Sequence, residues 1–411
     1  MSLSTLSPLL HRPTTALPTA IADYDPATSI LLASADYTVL AQGPHTQITG
    51  RLLPSPAPGS PPDPAPEARS GSAPVSLAEQ VAHALAASDH RFEAIAAGAI
   101  GFDGSAQLSV PTDVQWSAPL PPAPRTNAPP RAWRIEQTPP PALYLAAVRT
   151  ALKRIEQGSL DKVVLARQLE LTLQDGRPID VRQLLSRLVG HGGYTFAVPM
   201  AAGDRTLIGA SPELLISRHE RVVTSNPLAG STARSADPIT DRQRASTLLR
   251  SLKDRREHRL VVEAVADALA PHCIRLTVPA EPHLVSTPTM WHLSTRVHGH
   301  LRSSDTCSLT LAAALHPTPA VCGTPTATAR AAITDLEGFE RGLYAGLVGW
   351  SDARGDGEWA VAIRCAEVSA QAVRLFVGAG IVSGSDPEHE LAETSAKAST
   401  LLHALGVRSI I

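Results

Sequence analysis

The chain has 411 residues, 43% apolar and 18% charged, enough to bury a large core and to form two or three domains. Its 36 Lys and Arg against 38 Asp and Glu leave a formal net charge of −2, which excludes a basic field for nucleic acid or an anionic membrane surface. An anionic ligand must then be gripped by a few placed cations, which points to a small molecule.

In chain order, two Pro-rich stretches, residues 53–69 and 111–130, read as loops or linkers. Between them SLAEQVAHALAAS (76–88) reads as a helix and EAIAAGAIGFDGSAQLSV (93–110) as two short strands. Residues 1–135 are therefore expected to be an irregular N-terminal portion packing on a core formed by residues 136–411. ALYLAAVRTALKRIEQG (142–158) has helical periodicity and ends at glycine, and DKVVLARQLELTL (161–173) reads as a strand. YTFAVPM, TLIGAS, ELLISRHE and RVVTSN predict an antiparallel meander, followed by one long helix over 241–270. EWAVAIRCAEV and QAVRLFVGAGIV predict a hairpin, and residues 387–406 a final helix with Pro in its first turn and Gly at its end. Strand runs broken by long helices predict an α+β fold with large antiparallel sheets rather than a βαβ alternation.

The four cysteines, Cys273, Cys307, Cys322 and Cys365, form no CxxC pair, which argues against a disulfide framework or a zinc ribbon and fits a reducing compartment. The first twenty residues lack the basic start and apolar run of a signal peptide, and no stretch approaches the roughly 18 apolar residues of a membrane span. The expectation is a cytoplasmic protein. Only four of its basic residues are lysines: Lys153, Lys162, Lys253 and Lys397. Where arginine is the default cation, a lysine hints at a site that wants an amine able to release its proton.

Individual candidates each carry a bland alternative. Glu390, Glu393 and Lys397 fall on one narrow stripe of the last helix, as a cation site or as a solvated face with an i,i+4 pair. Nothing local distinguishes Glu257, in KDRREHR, from a solvated charge run. Lys162 opens a strand that is apolar on both faces, where burial would favour its neutral amine and make it a base, or where it could reach out to water. Glu213, after Ser-Pro, is a buried general acid or a turn carboxylate. GAGIVSG (378–384) tempts a dinucleotide reading, but only 27 residues follow it, too few for that fold; a small anion on exposed backbone N–H groups suits it better. His292, His298 and His300 lack a zinc spacing.

Taken together and in order, KVVLAR, GASPELLISR, NPLAGSTAR, KDRREHRLVVEAV, TPTMWHLST, LHPTPAVCGTP, GLYAGLVGW, WAVAIRCAEV and LFVGAGIVSGSDPEHELAETSAK resemble the chorismate-utilising enzymes. That group includes anthranilate, aminodeoxychorismate, salicylate and isochorismate synthases, and the resemblance runs from about residue 140 to 406. WHLST, HPTPAVCG and GDGEWAVAIRCA look most like isochorismate synthases of siderophore and menaquinone biosynthesis. The resemblance implies two large antiparallel sheets flanked by helices, with the active site between them. It implies an isomerase that adds water at C2 of chorismate and expels the C4 hydroxyl, with Lys162 as base and Glu213 as acid.

It further implies Mg²⁺ held by Glu257 and Glu393 with Glu390 nearby, and Lys397 beside the ring carboxylate. Arg364, Tyr344 and the backbone at Gly378 would bind the enolpyruvyl carboxylate; Gly230, Ser231 and His292 would line the ring. His316 is expected to be structural, and no obligate protein partner is implied. Three positions separate the siblings by the same resemblance. Ala229 replaces the nucleophilic lysine of aminodeoxychorismate synthases, Lys162 the glutamine of anthranilate synthases, and Val321 the threonine common in salicylate synthases. The alternatives are a salicylate synthase, or an inactive homologue that only binds chorismate.

Overall fold

The computed structural model describes residues 20–53, 75–88, 93–121, 131–201 and 203–407. Helix α1 (Ala20–Asp23) leads into strands β1 (Ile30–Ala33) and β2 (Thr38–Arg51); α2 (Leu77–Ala86) then precedes β3 (Ile95–Ile100), β4 (Ser105–Ser117) and β5 (Trp133–Thr138). The helix expected at 76–88 forms because Ser76 and Glu79 make a reciprocal capping box at its start. The described residues between 30 and 117 are more regular than their weak patterning implies, since β2 and β4 pair from Thr38↔Ser117 to Arg51↔Ser105. The loop expected over 111–130 is in part strand: PTDVQWS is the second half of β4. Pro111 sits opposite His45 at a register shift, a position that tolerates its missing N–H. The remaining loop readings at 54–69 and 122–130 lie outside the described residues.

Helix α3 (Pro141–Glu156) is followed by β6 (Lys162–Leu173), α4 (Val181–Leu188), β7 (Tyr194–Pro199), β8 (Thr206–Ser211), β9 (Leu214–His219), β10 (Val222–Asn226) and β11 (Leu228–Ala233). The expected meander is instead two hairpins, β7–β8 and β9–β10. The outer edge of β8 pairs with β19 (Cys365–Val368) and that of β9 with β18 (Gly357–Val361). Pro212, which has no N–H to donate, lies at the break between β8 and β9. The single helix expected at 241–270 is two, α5 (Pro238–Arg250) and α6 (Leu252–Leu269). Ser251 between them has an extended backbone, and its hydroxyl accepts the Asp254 N–H, so it caps a new helix rather than continuing the old one.

The chain continues through β12 (Cys273–Thr277), β13 (His283–Ser286), β14 (Met290–Ser294), β15 (Val297–Leu301), α7 (Ser308–Leu315), β16 (Gly323–Thr324), α8 (Thr326–Glu337) and β17 (Leu347–Asp352). After β18 and β19 it closes with β20 (Ala372–Val382) and α9 (Pro387–Ala404). The expected second hairpin is β19–β20, while EWAV belongs to β18 and pairs with β17 and β9.

The expected α+β architecture of antiparallel sheets flanked by helices is found, as one 17-stranded hydrogen-bonded network and a three-stranded sheet, β11-β14-β13. At its centre β6 and β20 pair over their whole length, from Lys162↔Val382 to Thr172↔Ala372. Odd-numbered Val163 and Leu165 of β6 pack with Tyr144 and Val148 of α3 and Ile333 of α8, while Leu169 and Leu171 pack with residues of α4 and α9. Even-numbered Lys162, Val164 and Ala166 point the other way. The strand is covered on both faces, which is what its continuous apolar start predicts. Among the described residues no helix is long and apolar enough to cross a membrane.

Candidate active site

The even-numbered face of β6 and its partner β20 form one wall of a cavity. Helices α6 and α9 bring in Glu257, Glu393 and Lys397, β11 brings Gly230 and Ser231, and β14 brings His292. Glu213 enters from the β8–β9 junction, and Arg364 and Tyr344 also line the space; Val164, Val321, Leu228 and Phe376 supply apolar surface. Ten of the twelve residues singled out from the sequence line this space. The other two, Lys162 and Glu390, stand directly behind it.

Three of the chain's four lysines each hold one of the three candidate carboxylates. Lys162 is fully buried, with Nζ 2.9 Å from Glu257 Oε1, yet no partner lies in hydrogen-bond alignment with that ammonium. Lys397 Nζ is 2.7 Å from Glu393 Oε1 and donates to the Gly378 carbonyl at 2.9 Å. Lys253 Nζ donates to Glu390 Oε1 at 2.7 Å. The charge run of α6 is thus not simply a solvated face. Its Glu257 turns inward because β20 has Gly380 there: a Cβ at that glycine would lie 2.1 Å from Glu257 Oε1 and 3.0 Å from Lys162 Cε.

No three His, Cys, Asp or Glu side chains among the described residues converge into a ready-made ligand set. The donors that are present nevertheless suit a hard divalent cation that keeps several waters and takes one or two carboxylates. Glu257 and Glu393 both face the cavity, and Glu390 Oε2 is buried without a partner. An orphaned carboxylate oxygen beside two others is an acceptor left open.

Glu213 is buried, 3% accessible. Burial drives its pKa up to about 7, offset in part by the Leu228 N–H and by the charges of Lys162, Lys397 and Arg364. It is a carboxylic acid that holds its proton close to neutrality.

The other pole of the cavity is cationic. Arg364 is buried with φ 51°, a left-handed backbone that a residue other than glycine adopts only under tertiary constraint. Its Nη2 donates to His292 Nε2 at 3.4 Å, which assigns the imidazole proton to Nδ1. Burial, then the Arg364 and Lys397 charges, hold the His292 pKa well below its usual value, so the ring is neutral. Tyr344 stacks on Phe376 (ring centroids 5.1 Å apart, 11° between planes), and a Cβ on Gly378 would meet its hydroxyl at 2.8 Å. The backbone there is open to a ligand because position 378 has no side chain. Gly230 (φ 77°) lies in the register shift between Leu228 and Ser231 of β11, and Ser231 Oγ donates to Glu393 Oε1 at 3.1 Å.

His316 bonds the Phe102 carbonyl at 3.2 Å away from the cavity, the structural part expected of it. Lys253 and Gly380 were missed as site residues. The scarcity of lysine was a usable signal for the first; for the second, one glycine among several in GAGIVSG gave none.

A family model described as chorismate binding enzyme matches residues 113–406. The chain is 50% identical over 324 residues to isochorismate synthase DhbC of Bacillus subtilis, covering 76% of this chain and 81% of that one. It is 45% identical over 291 residues to the vibriobactin-specific isochorismate synthase of Vibrio cholerae, covering 69% and 73%. A crystal structure described as a 2,3-dihydroxybenzoate-specific isochorismate synthase, DhbC from Bacillus anthracis, matches with a TM-score of 0.84 at 42% identity, over 95% of this chain and 99% of that one. The chain belongs to the chorismate-binding enzymes.

Proposed function

We propose that the chain is an isochorismate synthase, with Lys162 and Glu213 as its base and acid. The reaction is an isomerisation in which water adds at C2 of chorismate, the double bonds shift and the C4 hydroxyl leaves as water. A proton must be taken from the attacking water and another given to the departing hydroxyl. Lys162 is the acceptor. Glu213, its pKa pushed by burial up to about 7, is the donor, and its buried carboxyl facing the cavity is the observation that carries the reading. The two groups come from separate elements: Glu213 lines the cavity from the β8–β9 junction, and Lys162 stands directly behind its β6 wall.

Chorismate is a dianion. Arg364, the Tyr344 hydroxyl and the backbone at Gly378 bind its enolpyruvyl carboxylate, and neutral His292 with Gly230 and Ser231 lies along the ring. Lys397 adds charge beside the ring carboxylate. Glu257 and Glu393, with Glu390 behind them, would hold Mg²⁺, which when bound would supply positive charge against that carboxylate. The open acceptor at Glu390 Oε2 supports this assignment. Ala229 and Val321 both line the cavity, so the two side chains that set this sequence apart from aminodeoxychorismate and salicylate synthases touch the space the substrate would occupy.

Incubation of the purified protein with chorismate and Mg²⁺, followed by chromatographic separation, tests the reading. Isochorismate is the expected main product. Salicylate with pyruvate, or no turnover, would overturn it.

A further inference from the structure

A second buried charge pair stands behind the cavity wall, and the chemistry does not use it. Glu337 ends α8, Arg341 follows four residues later, and their side chains are 1% and 2% exposed. Arg341 Nε donates to Glu337 Oε2 at 2.9 Å, and Nη2 contacts Oε1. The remaining bonds go to backbone: Nη1 to the Val321 carbonyl at 2.7 Å, Nη2 to the Val164 carbonyl at 2.8 Å, and Glu337 Oε1 from the Ala166 N–H at 2.8 Å.

These bonds fill a gap in β6. Its outer edge pairs with β16 at Lys162 and Val163 and with β5 from Gln168 onward, leaving residues 164–167 between the two, where the Val164 N–H still donates to the Cys322 carbonyl at 2.7 Å. The ion pair occupies that stretch and ties it to Val321. Val164 and Val321 both line the cavity, and the guanidinium also lies 5.7 Å from the ring of Tyr344, a third lining residue.

A buried ion pair is weak as a source of stability, because an apolar pair of similar volume often serves as well or better. A pair retained for geometry explains this one. We infer that Arg341, with Glu337, is a positioning residue for substrate: it sets the separation of Val164 from Val321 and seats Tyr344, and so fixes the fit of the ring and its enolpyruvyl arm. This rests on the proposed occupancy of the cavity by chorismate.

The test measures chorismate binding by calorimetry, steady-state kinetics and Tm for the full chain, for Arg341→Lys, and for Arg341→Met combined with Glu337→Leu. The double variant removes both charges together, so it keeps the test readable if a lone buried charge prevents folding. The expected result for both variants is a Kd and KM raised at least about fivefold, with kcat changed less than about twofold. A lower Tm with Kd and KM unchanged would assign the pair to stability alone and overturn the proposal. So would two variants indistinguishable from the parent. A parent that binds chorismate without converting it would end the proposed function while leaving this comparison of Kd values decisive; a parent that does not bind chorismate would end both.

Discussion

Two buried charge systems lie a few residues apart along β6, and they are finished to different degrees. In the Arg341–Glu337 pair every side-chain nitrogen and oxygen has a partner. Around Lys162, Glu257 and Glu390 the charges are balanced one to one, but the Lys162 ammonium lacks an aligned acceptor and Glu390 Oε2 has no donor. The finished pair is also the drier one: its side chains are 2% and 1% exposed, against 10% for Glu257 and 24% for Lys253. Leaving a buried polar atom unmatched carries a penalty of about 1–3 kcal/mol, which a purely structural pair has no reason to bear. On the reading proposed above, the incomplete system is the cation and substrate site, and the complete one positions its walls.

The largest expected effect is at Lys162. Lys162→Gln should lower kcat by about 10²–10⁴-fold while chorismate binding measured by calorimetry stays close to the parent's. Near-normal turnover would place Lys162 with the structural charges and erase the contrast. Next comes Glu213→Gln, expected to cost about 10²-fold in kcat. In the parent, kcat/KM should decline above about pH 7 as the acid loses its proton, and the glutamine variant should lack that limb.

The same group gives a stability test with a definite sign. The folded pKa of Glu213 is raised from 4.5 to about 7, so the unfolded chain loses this proton first as pH rises. Stability from this group is therefore present below pH 4.5 and lost between there and about 7, a difference on the order of 3 kcal/mol. Denaturant titrations at pH 8 should find the glutamine variant more stable than the parent. The smallest effect is expected at Glu393, where Glu393→Gln should shift the magnesium titration followed by Tm to about tenfold higher concentration. Superimposable titrations would remove Glu393 from the cation site.

Much of this was legible in the sequence because the chemistry falls on short, ordered segments. KVVLAR on a doubly apolar strand announced the buried lysine, and the Glu390–Glu393–Lys397 stripe announced a helix face. The sequence could not show that Glu390 turns away to Lys253, since both lie on correct helical faces and only the packing of α6 beside α9 decides which carboxylate meets the cavity. Nor could it show the break at Ser251, where a hydroxyl cap overrides an otherwise continuous helical pattern. The N-terminal ribbon was hidden because Pro111 reads as a breaker until its place at a register shift is known. Arg341 and Glu337 sit at ordinary i,i+4 spacing, which on a solvated helix face implies almost nothing.

The left-handed backbone of Arg364 sets a limit on how this end of the pocket can change. A glycine would relax the main chain there and delete the guanidinium; a lysine would keep a charge but lose the planar fork suited to a carboxylate. If Arg364 grips a carboxylate as proposed, conformational ease and anion recognition pull in opposite directions at a single position, and a variant that folds more readily there would give up that grip.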